Sequence, residues 1–216
     1  MDDFCIEIAD FYDESERLTL DIKDFVFFVG RAIAIDRFDF FKSKLLYAIN
    51  TCALRSIFIK LPTMDQLVKA VNLIPNVCDL NIGLQDENLA VNSNDFEILT
   101  RKIGNKTKLK GIYISNVNIP NNWEKICNEN FKKLSNLSYF CITKPVPNIP
   151  INVIDLYDLM IERNISVQLW NIPDDSFVEL PEFKSRFKLQ KRNPNQKRLL
   201  IATINKSYDF LLVLNV

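Results

Sequence analysis

A short apolar motif recurs along this chain and limits what it can fold into more than any other feature. Its copies are Leu54-x-x-Ile57-x-Ile59, Val77-x-x-Leu80-x-Ile82, Leu109-x-x-Ile112-x-Ile114 and Leu137-x-x-Phe140-x-Ile142, with a degraded fifth at Asn164-x-x-Val167-x-Leu169. They start 23, 32, 28 and 27 residues apart. Repeats at such periods signal stacked supersecondary units. The two-residue alternation and β-branched content of each copy predict a strand with one buried face.

Segments with helical spacing fill the intervals. Met64, Leu67, Val68, Val71 and Ile74 share one helical face, closed by Pro75. Asn94 is placed to cap the next helix with Glu97 as its reciprocal partner, and Phe96, Leu99 and Ile103 face inward. Trp123, Ile126, Cys127, Phe131 and Leu134 mark a third stripe, opened by Asn122; Val153, Ile154, Tyr157, Met160 and Ile161 mark a fourth. Upstream, Phe38, Phe41, Leu45 and Ile49 repeat the pattern before the first motif strand.

Strands joined by helices over such distances run parallel. Two architectures satisfy this α/β order: a solenoid of about five helix–strand units, or a doubly wound open sheet. Strands of a doubly wound sheet are buried on both faces and read as continuous apolar runs. Here the alternate positions are Ser56, Phe58, Asp79, Asn81, Gly111, Tyr113, Tyr139 and Cys141, a mixture that favours the solenoid. With no Gly/Ser linker, the chain reads as one domain over 1–216. Within it, 1–36 form an N-terminal cap with opening strands in 17–29, 37–170 the helix–strand repeats, and 171–216 a C-terminal cap. That cap holds a basic loop and an antiparallel hairpin of residues 198–204 and 208–214.

The strand pattern, each strand preceded by a helix over residues 38–170, resembles the leucine-rich-repeat fold. Its irregular, helix-bearing spacing looks more like the repeats of F-box/leucine-rich-repeat substrate adaptors than the short regular extracellular type. Two features depart from that family. The asparagine that follows each family strand is replaced by Pro62, Gln85, Val117 and Pro145, and residues 1–50 carry no F-box with its opening Leu-Pro. The resemblance implies a concave binding face and a role in substrate recognition for ubiquitination.

Composition narrows the chemistry. The chain has no histidine, which removes Ser-His-Asp and Cys-His catalysis and histidine metal ligation together. Four glycines leave little for phosphate-cradling loops, and the standard nucleotide, hydrolase and zinc-protease motifs are absent. Twenty-seven basic residues balance 27 acidic ones, so no global field recruits nucleic acid or membrane. The acidic start, the absence of a spanning apolar run and five cysteines without a Cys-x-x-Cys pair lead to the expectation of an intracellular protein, cytoplasmic or nuclear. No cofactor is expected.

The candidate binding residues follow from the solenoid reading. Outward strand positions place Phe58, Asn81, Tyr113, Tyr139 and Trp170 on one face, where rigid rings suit an interface hot spot. Packing against the terminal segments, or in the core of a doubly wound sheet, is the competing explanation. Residues 183–198 offer Lys184, Arg186, Lys188, Lys191, Arg192, Lys197 and Arg198 around Phe183 and Phe187, a combination that stacks bases and contacts phosphates, or else a solvated loop. Asp155, Asp158 and Glu162 share one helix side, as a divalent-metal set or an ordinary polar face. Cys52, Cys78 and Cys127 read as core, with Cys141 on the open face. The favoured reading is a non-enzymatic module that binds a protein ligand. The alternatives are a histidine-free α/β enzyme or pseudoenzyme, and a nucleic-acid adaptor working through 183–198.

Overall fold

The parallel ladder is set by the motif strands, each of which enters the sheet beside the one before it. The computed structural model describes residues 5–7, 32–35, 55–74, 77–86, 93–117, 119–143, 151–172, 179–189, 199–204 and 208–214. Its strands are β1 (Cys5–Glu7), β2 (Ala32–Ile35), β3 (Ser56–Leu61), β4 (Asp79–Leu84), β5 (Gly111–Ser115), β6 (Tyr139–Thr143), β7 (Ser166–Ile172), β8 (Phe187–Leu189), β9 (Leu199–Ile204) and β10 (Tyr208–Leu214). The helices are α1 (Met64–Leu73), α2 (Ser93–Ile103), α3 (Trp123–Asn130), α4 (Val153–Arg163) and α5 (Pro181–Arg186). One sheet holds all ten described strands in the order β1-β2-β3-β4-β5-β6-β7-β9-β10-β8. This is an α/β fold with a parallel sheet alternating with helices. Among the described residues no helix is long and apolar enough to cross a membrane.

Register repeats without slippage through the centre of the sheet. Ile57, Leu80, Ile112, Phe140 and Val167 form one cross-strand row, and Ile59, Ile82, Ile114, Ile142 and Leu169 the next. Every one of these residues is buried. A one-residue slip would turn the whole set to the other face, so burial fixes the pairing. Backbone geometry repeats too. The carbonyl just before one strand accepts two N–H groups from the start of the next: Cys78 and Asp79 donate to Arg55, Lys110 and Gly111 to Cys78, Ser138 and Tyr139 to Lys110.

The described helices pack side by side in chain order, α1 against α2, α2 against α3, α3 against α4 and α4 against α5. Their apolar stripes join the buried strand rows in one core, where Trp123 and Phe131 both pack on Phe140. Helix α1 is capped by Thr63, whose hydroxyl accepts from Gln66 N–H at 3.3 Å. Its other end, at Ile74, is tied by Lys106, whose Nζ donates to the Ile74 carbonyl at 2.6 Å. Pro75 lies outside the described residues.

Three local expectations need correction. Helix α2 already begins at Ser93, so Asn94 lies in its first turn instead of capping it. Asn122 does precede α3, but its side chain makes no capping bond. The inner stripe of α4 is Val153, Leu156, Leu159 and Met160, whereas Ile154 is 45% exposed and Tyr157 and Ile161 are half-buried. Val153, Leu156, Leu159 and Met160 recur at helical spacing and meet the core, with Tyr157 and Ile161 at its margin. Asn152 caps the helix, its Oδ1 accepting from Ile154 and Asp155 N–H at 3.1 and 3.2 Å.

At the C-terminal side β9 runs parallel to β7, then β10 returns antiparallel to β9 with Leu200 beside Leu212. The expected closing hairpin is thus in the sheet, with β8 antiparallel to β10 beyond it. The opening strands anticipated in 17–29 and the helix through Phe38 and Ile49 lie outside the described residues, as does Cys52. The short pair β1 and β2 continues the parallel ladder onto β3.

One buried charge-bearing group stands out in this core. Glu124 is wholly buried in α3, and its Oε1 accepts the Asn152 N–H at 2.8 Å, bridging α3 to the cap of α4. Oε2 has no partner. Burial pushes its carboxyl up to about 8, helped by nearby Asp155 and opposed by backbone hydrogen bonds from its own N–H and from Asn152. Raised in the folded state, this group binds its proton more tightly there than in the unfolded chain. Its stabilising effect is therefore full below the ordinary carboxylate range and is lost as pH climbs toward about 8. Stability of Glu124→Gln minus that of the native chain should rise with pH across this window, by up to about 1.4 kcal/mol per unit. Denaturant melts from pH 5 to about 9 measure it; parallel curves for the two proteins would remove Glu124 from the account.

Gly104, at the end of α2, sets the approach of α3. A Cβ there would run into the Asn130 carbonyl oxygen, while Asn130 Nδ2 donates to the buried Thr100 hydroxyl at 2.8 Å. Gly104→Ala should cost about 1–3 kcal/mol of stability by overpacking this crossing, read as a lower midpoint in denaturant.

Candidate functional site

Strand alternation that buries Ile57, Ile59 and Leu61 presents Ser56, Phe58 and Lys60 to the other side of the sheet, with the last two exposed. Register extends this into rows. Ser56, Asp79, Gly111, Tyr139 and Ser166 line up across the strands, followed by Phe58, Asn81, Tyr113, Cys141 and Gln168. Lys60, Gly83, Ser115 and Thr143 form the third row. Sequence reasoning thus assembles one face correctly in backbone terms, and Phe58, Asn81, Tyr113 and Tyr139 belong to it. Trp170 lies in β7, but its side chain is outside the described residues.

Exposure is uneven across this face. Phe58 is 38% exposed, Asn81, Tyr113 and Tyr139 are half-buried, and Cys141 is buried at 2%. Cys141 therefore differs from its expected open position: the sheet side is right, yet the thiol is covered. Tyr139 hydrogen-bonds Cys141, and its phenol is pushed well up, first by burial and then by that thiol and Tyr113. Tyr113 and Tyr139 pack with ring centroids 5.4 Å apart at 47°. Gly111, two residues before Tyr113 in β5, stands in the row between Asp79 and Tyr139. Asp79 flanks it, holding the Ser56 hydroxyl at 3.3 Å and Arg55 Nε at 3.6 Å, both through Oδ2.

The two aromatic residues of the basic segment are not on the surface that base stacking would need. Phe183 and Phe187 are 2% and 3% exposed and stack on each other at 4.7 Å, and Phe187 meets the Tyr157 ring edge-on. Their apolar area goes to the core, which removes the aromatic half of that reading. Lys184 pairs with Glu179 at 2.6 Å, and Arg186 lies 5.6 Å from the Tyr157 ring while donating to the Glu182 carbonyl. Lys188 is in β8; Lys191, Arg192, Lys197 and Arg198 lie outside the described residues.

Asp155, Asp158 and Glu162 do share a groove with Lys125, Asn128, Glu129 and Lys132 on the helix side. Asn128 and Arg163 hold Glu162 at 3.0 and 3.1 Å, lowering its carboxyl below the ordinary range. Among the described residues no group of three or more His, Cys, Asp or Glu is placed to hold a metal ion. Of the cysteines, Cys127 is buried as expected and Cys78 is half-buried.

Sequence reasoning missed the polar ties at the strand ends. Gln85 Nε2 donates to the Lys60 carbonyl at 3.2 Å, and buried Asn116 Nδ2 donates to the Leu84 carbonyl at 3.0 Å. Asn116 reaches back because its backbone is left-handed, with φ 54°. The available signal was an Asn one position ahead of Val117 and the Gln at 85, each able to serve the preceding strand. Comparison with protein-family models, curated proteins and solved structures gives no match.

Burial on the two sides of one strand makes a direct test. Ile112→Ala should lower stability by about 2–5 kcal/mol, whereas Phe58→Ala should change it by no more than about 0.5. Urea melts of both variants at one pH check this; equal losses would mean that the Phe58 side is core.

Proposed function

We propose that the chain is a non-enzymatic protein-interaction module whose ligand docks on the sheet face opposite the helices. The observation that carries this reading is the set of rings at Phe58, Tyr113 and Tyr139 on a face that the described helices leave uncovered. Rigid aromatic side chains bury much area at small entropic cost, which suits a binding surface. Sequential strand order and helices stacked in chain order support the leucine-rich-repeat-like solenoid over a doubly wound sheet, whose strand order reverses at a switch point. The ubiquitin-ligase adaptor role is an extension of the strand-motif resemblance, and capture of ligase subunits by the full chain is its test. Burial of Phe183 and Phe187 speaks for a protein ligand over nucleic acid.

The test pairs two exposed apolar sites on opposite sides. Phe58→Ala with Tyr113→Ala should weaken a captured protein partner by about 2 kcal/mol or more, roughly 30-fold. Leu73→Ala, 43% exposed on α1, should leave that partner bound. Quantitative pull-down from the source cell reads both; loss with Leu73→Ala alone would move the surface to the helices. The thermal midpoint should not shift with ATP, NAD or zinc, because only a ligand of the native state raises it.

A further inference from the structure

We propose that the edge of the sheet where its parallel strands begin binds an acidic stretch of the protein partner, through Lys108, Lys110, Lys133 and Arg55. This rests on the chain being a protein-interaction module and adds the chemistry of what it holds. Between Glu97 and Glu124 the sequence has five basic residues and no acidic one, and between Glu129 and Asp155 three and none. In a chain whose 27 basic residues balance 27 acidic ones, both runs are local excesses of positive charge.

The fold brings the two runs together. They hold the connections from α2 to β5 and from α3 to β6, and these connections lie side by side. Asn136 Nδ2 donates to the Thr107 carbonyl at 3.3 Å, and the Ser138 hydroxyl to the Lys110 carbonyl at 3.1 Å. The 3-10 turn Phe131–Lys133 packs on α2, whose last turn holds Arg101 and Lys102. Backbone bonds from Lys110 to Cys78 and from Cys78 to Arg55 put Arg55 on the same line across the strand starts. Lys106 fixes the first connection through its bond to the Ile74 carbonyl, so the free cations stand on a tied frame.

These charges are open to a partner. Lys108, Lys110, Lys133 and Arg55 are exposed, and among the described residues no carboxylate comes within ion-pair distance of the three lysines. Nearby acids are engaged: Asp79 takes the Ser56 hydroxyl and Arg55, and Glu162 takes Asn128 and Arg163. The α2 dipole accounts for Arg101 and Lys102 at its end, but not for Lys108 and Lys110, which lie past Gly104 at the entry to β5. Like charges on adjoining connections repel, and an acidic segment laid across them relieves that repulsion. The lone aromatic residue of 101–110 and 131–138, Phe131, is buried, so no ring is presented to stack a base. That favours a stretch rich in Asp or Glu over a single-stranded nucleic acid.

A random-peptide display library selected on the immobilised full chain tests the proposal. Enriched peptides should share two or more Asp or Glu residues, and a synthetic copy should bind more weakly as salt rises from about 0.05 to about 0.3 M. Lys108→Glu together with Lys110→Glu should weaken that peptide at least about tenfold, and changing its acidic residues to Lys should restore binding to the double variant. Lys69→Glu, exposed on α1, should leave the peptide bound, while denaturant melts report that each variant keeps its fold. Acidic peptides indifferent to the double variant overturn this edge as their seat. Peptides that need Phe58 but share no acidic residue overturn the acidic partner and leave the sheet face as the docking surface. An oligonucleotide of equal charge that binds the edge more tightly than the peptides overturns the proposal in favour of nucleic acid. No enrichment at all overturns both readings.

Discussion

The carbonyls of Arg55, Cys78 and Lys110 each accept two N–H groups from the strand that follows in the sheet, and this fork ties one helix–strand unit to the next. It occurs at the residue before β3, before β4 and before β5, so each strand begins level with its neighbour. A single N–H from Ser166 to the Ser138 carbonyl continues the pattern at β7. Level starts make the side-chain rows possible. Once Ile57 stands beside Leu80 and Ile112, alternation puts Phe58, Asn81 and Tyr113 beside one another without further instruction.

That regularity has a price in polar groups at the strand ends and helix crossings, and the chain meets it with ordinary residues. Gln85 and Asn116 satisfy carbonyls of the preceding strand, Lys106 closes the end of α1, and Asn130 serves Thr100 across the α2–α3 crossing. Two of the buried side chains are met only in part: Asn116 leaves its Oδ1 without a hydrogen-bond partner, and Glu124 its Oε2. Glu124 bridges α3 to Asn152 through its other oxygen. A buried carboxyl in that position avoids the cost of a bare charge by keeping its proton.

The two sides of the sheet accordingly carry different chemistry. On the helix side apolar rows and helix stripes merge into one core. On the other, small and polar residues mix with rings: Gly111 lies between Asp79 and Tyr139, and Gly83 between Lys60 and Ser115. At Gly111 the missing side chain lets Asp79 and Tyr113 lean over the same spot.

Strand positions, parallel pairing and the closing hairpin were readable from the sequence, because burial of one strand face imposes a two-residue period that survives irregular spacing. The membership of Phe58, Asn81, Tyr113 and Tyr139 in one face was readable for the same reason. Helix stripes were less so: in α4 the run Val153 to Ile161 offers apolar residues on several sides, and packing against the sheet selects Leu156 and Leu159 as the inward ones. Depth was not readable at all. Cys141 and Phe58 occupy equivalent strand positions, yet one is covered and the other open. Phe183 and Phe187 sit among basic residues that suggest a surface, yet they stack on each other and Phe187 meets Tyr157 edge-on. Periodicity fixes the side to which a residue points, since the pleat is a local property of the backbone. How far it is buried depends on neighbours brought from distant parts of the chain, and those are chosen only when the tertiary structure forms.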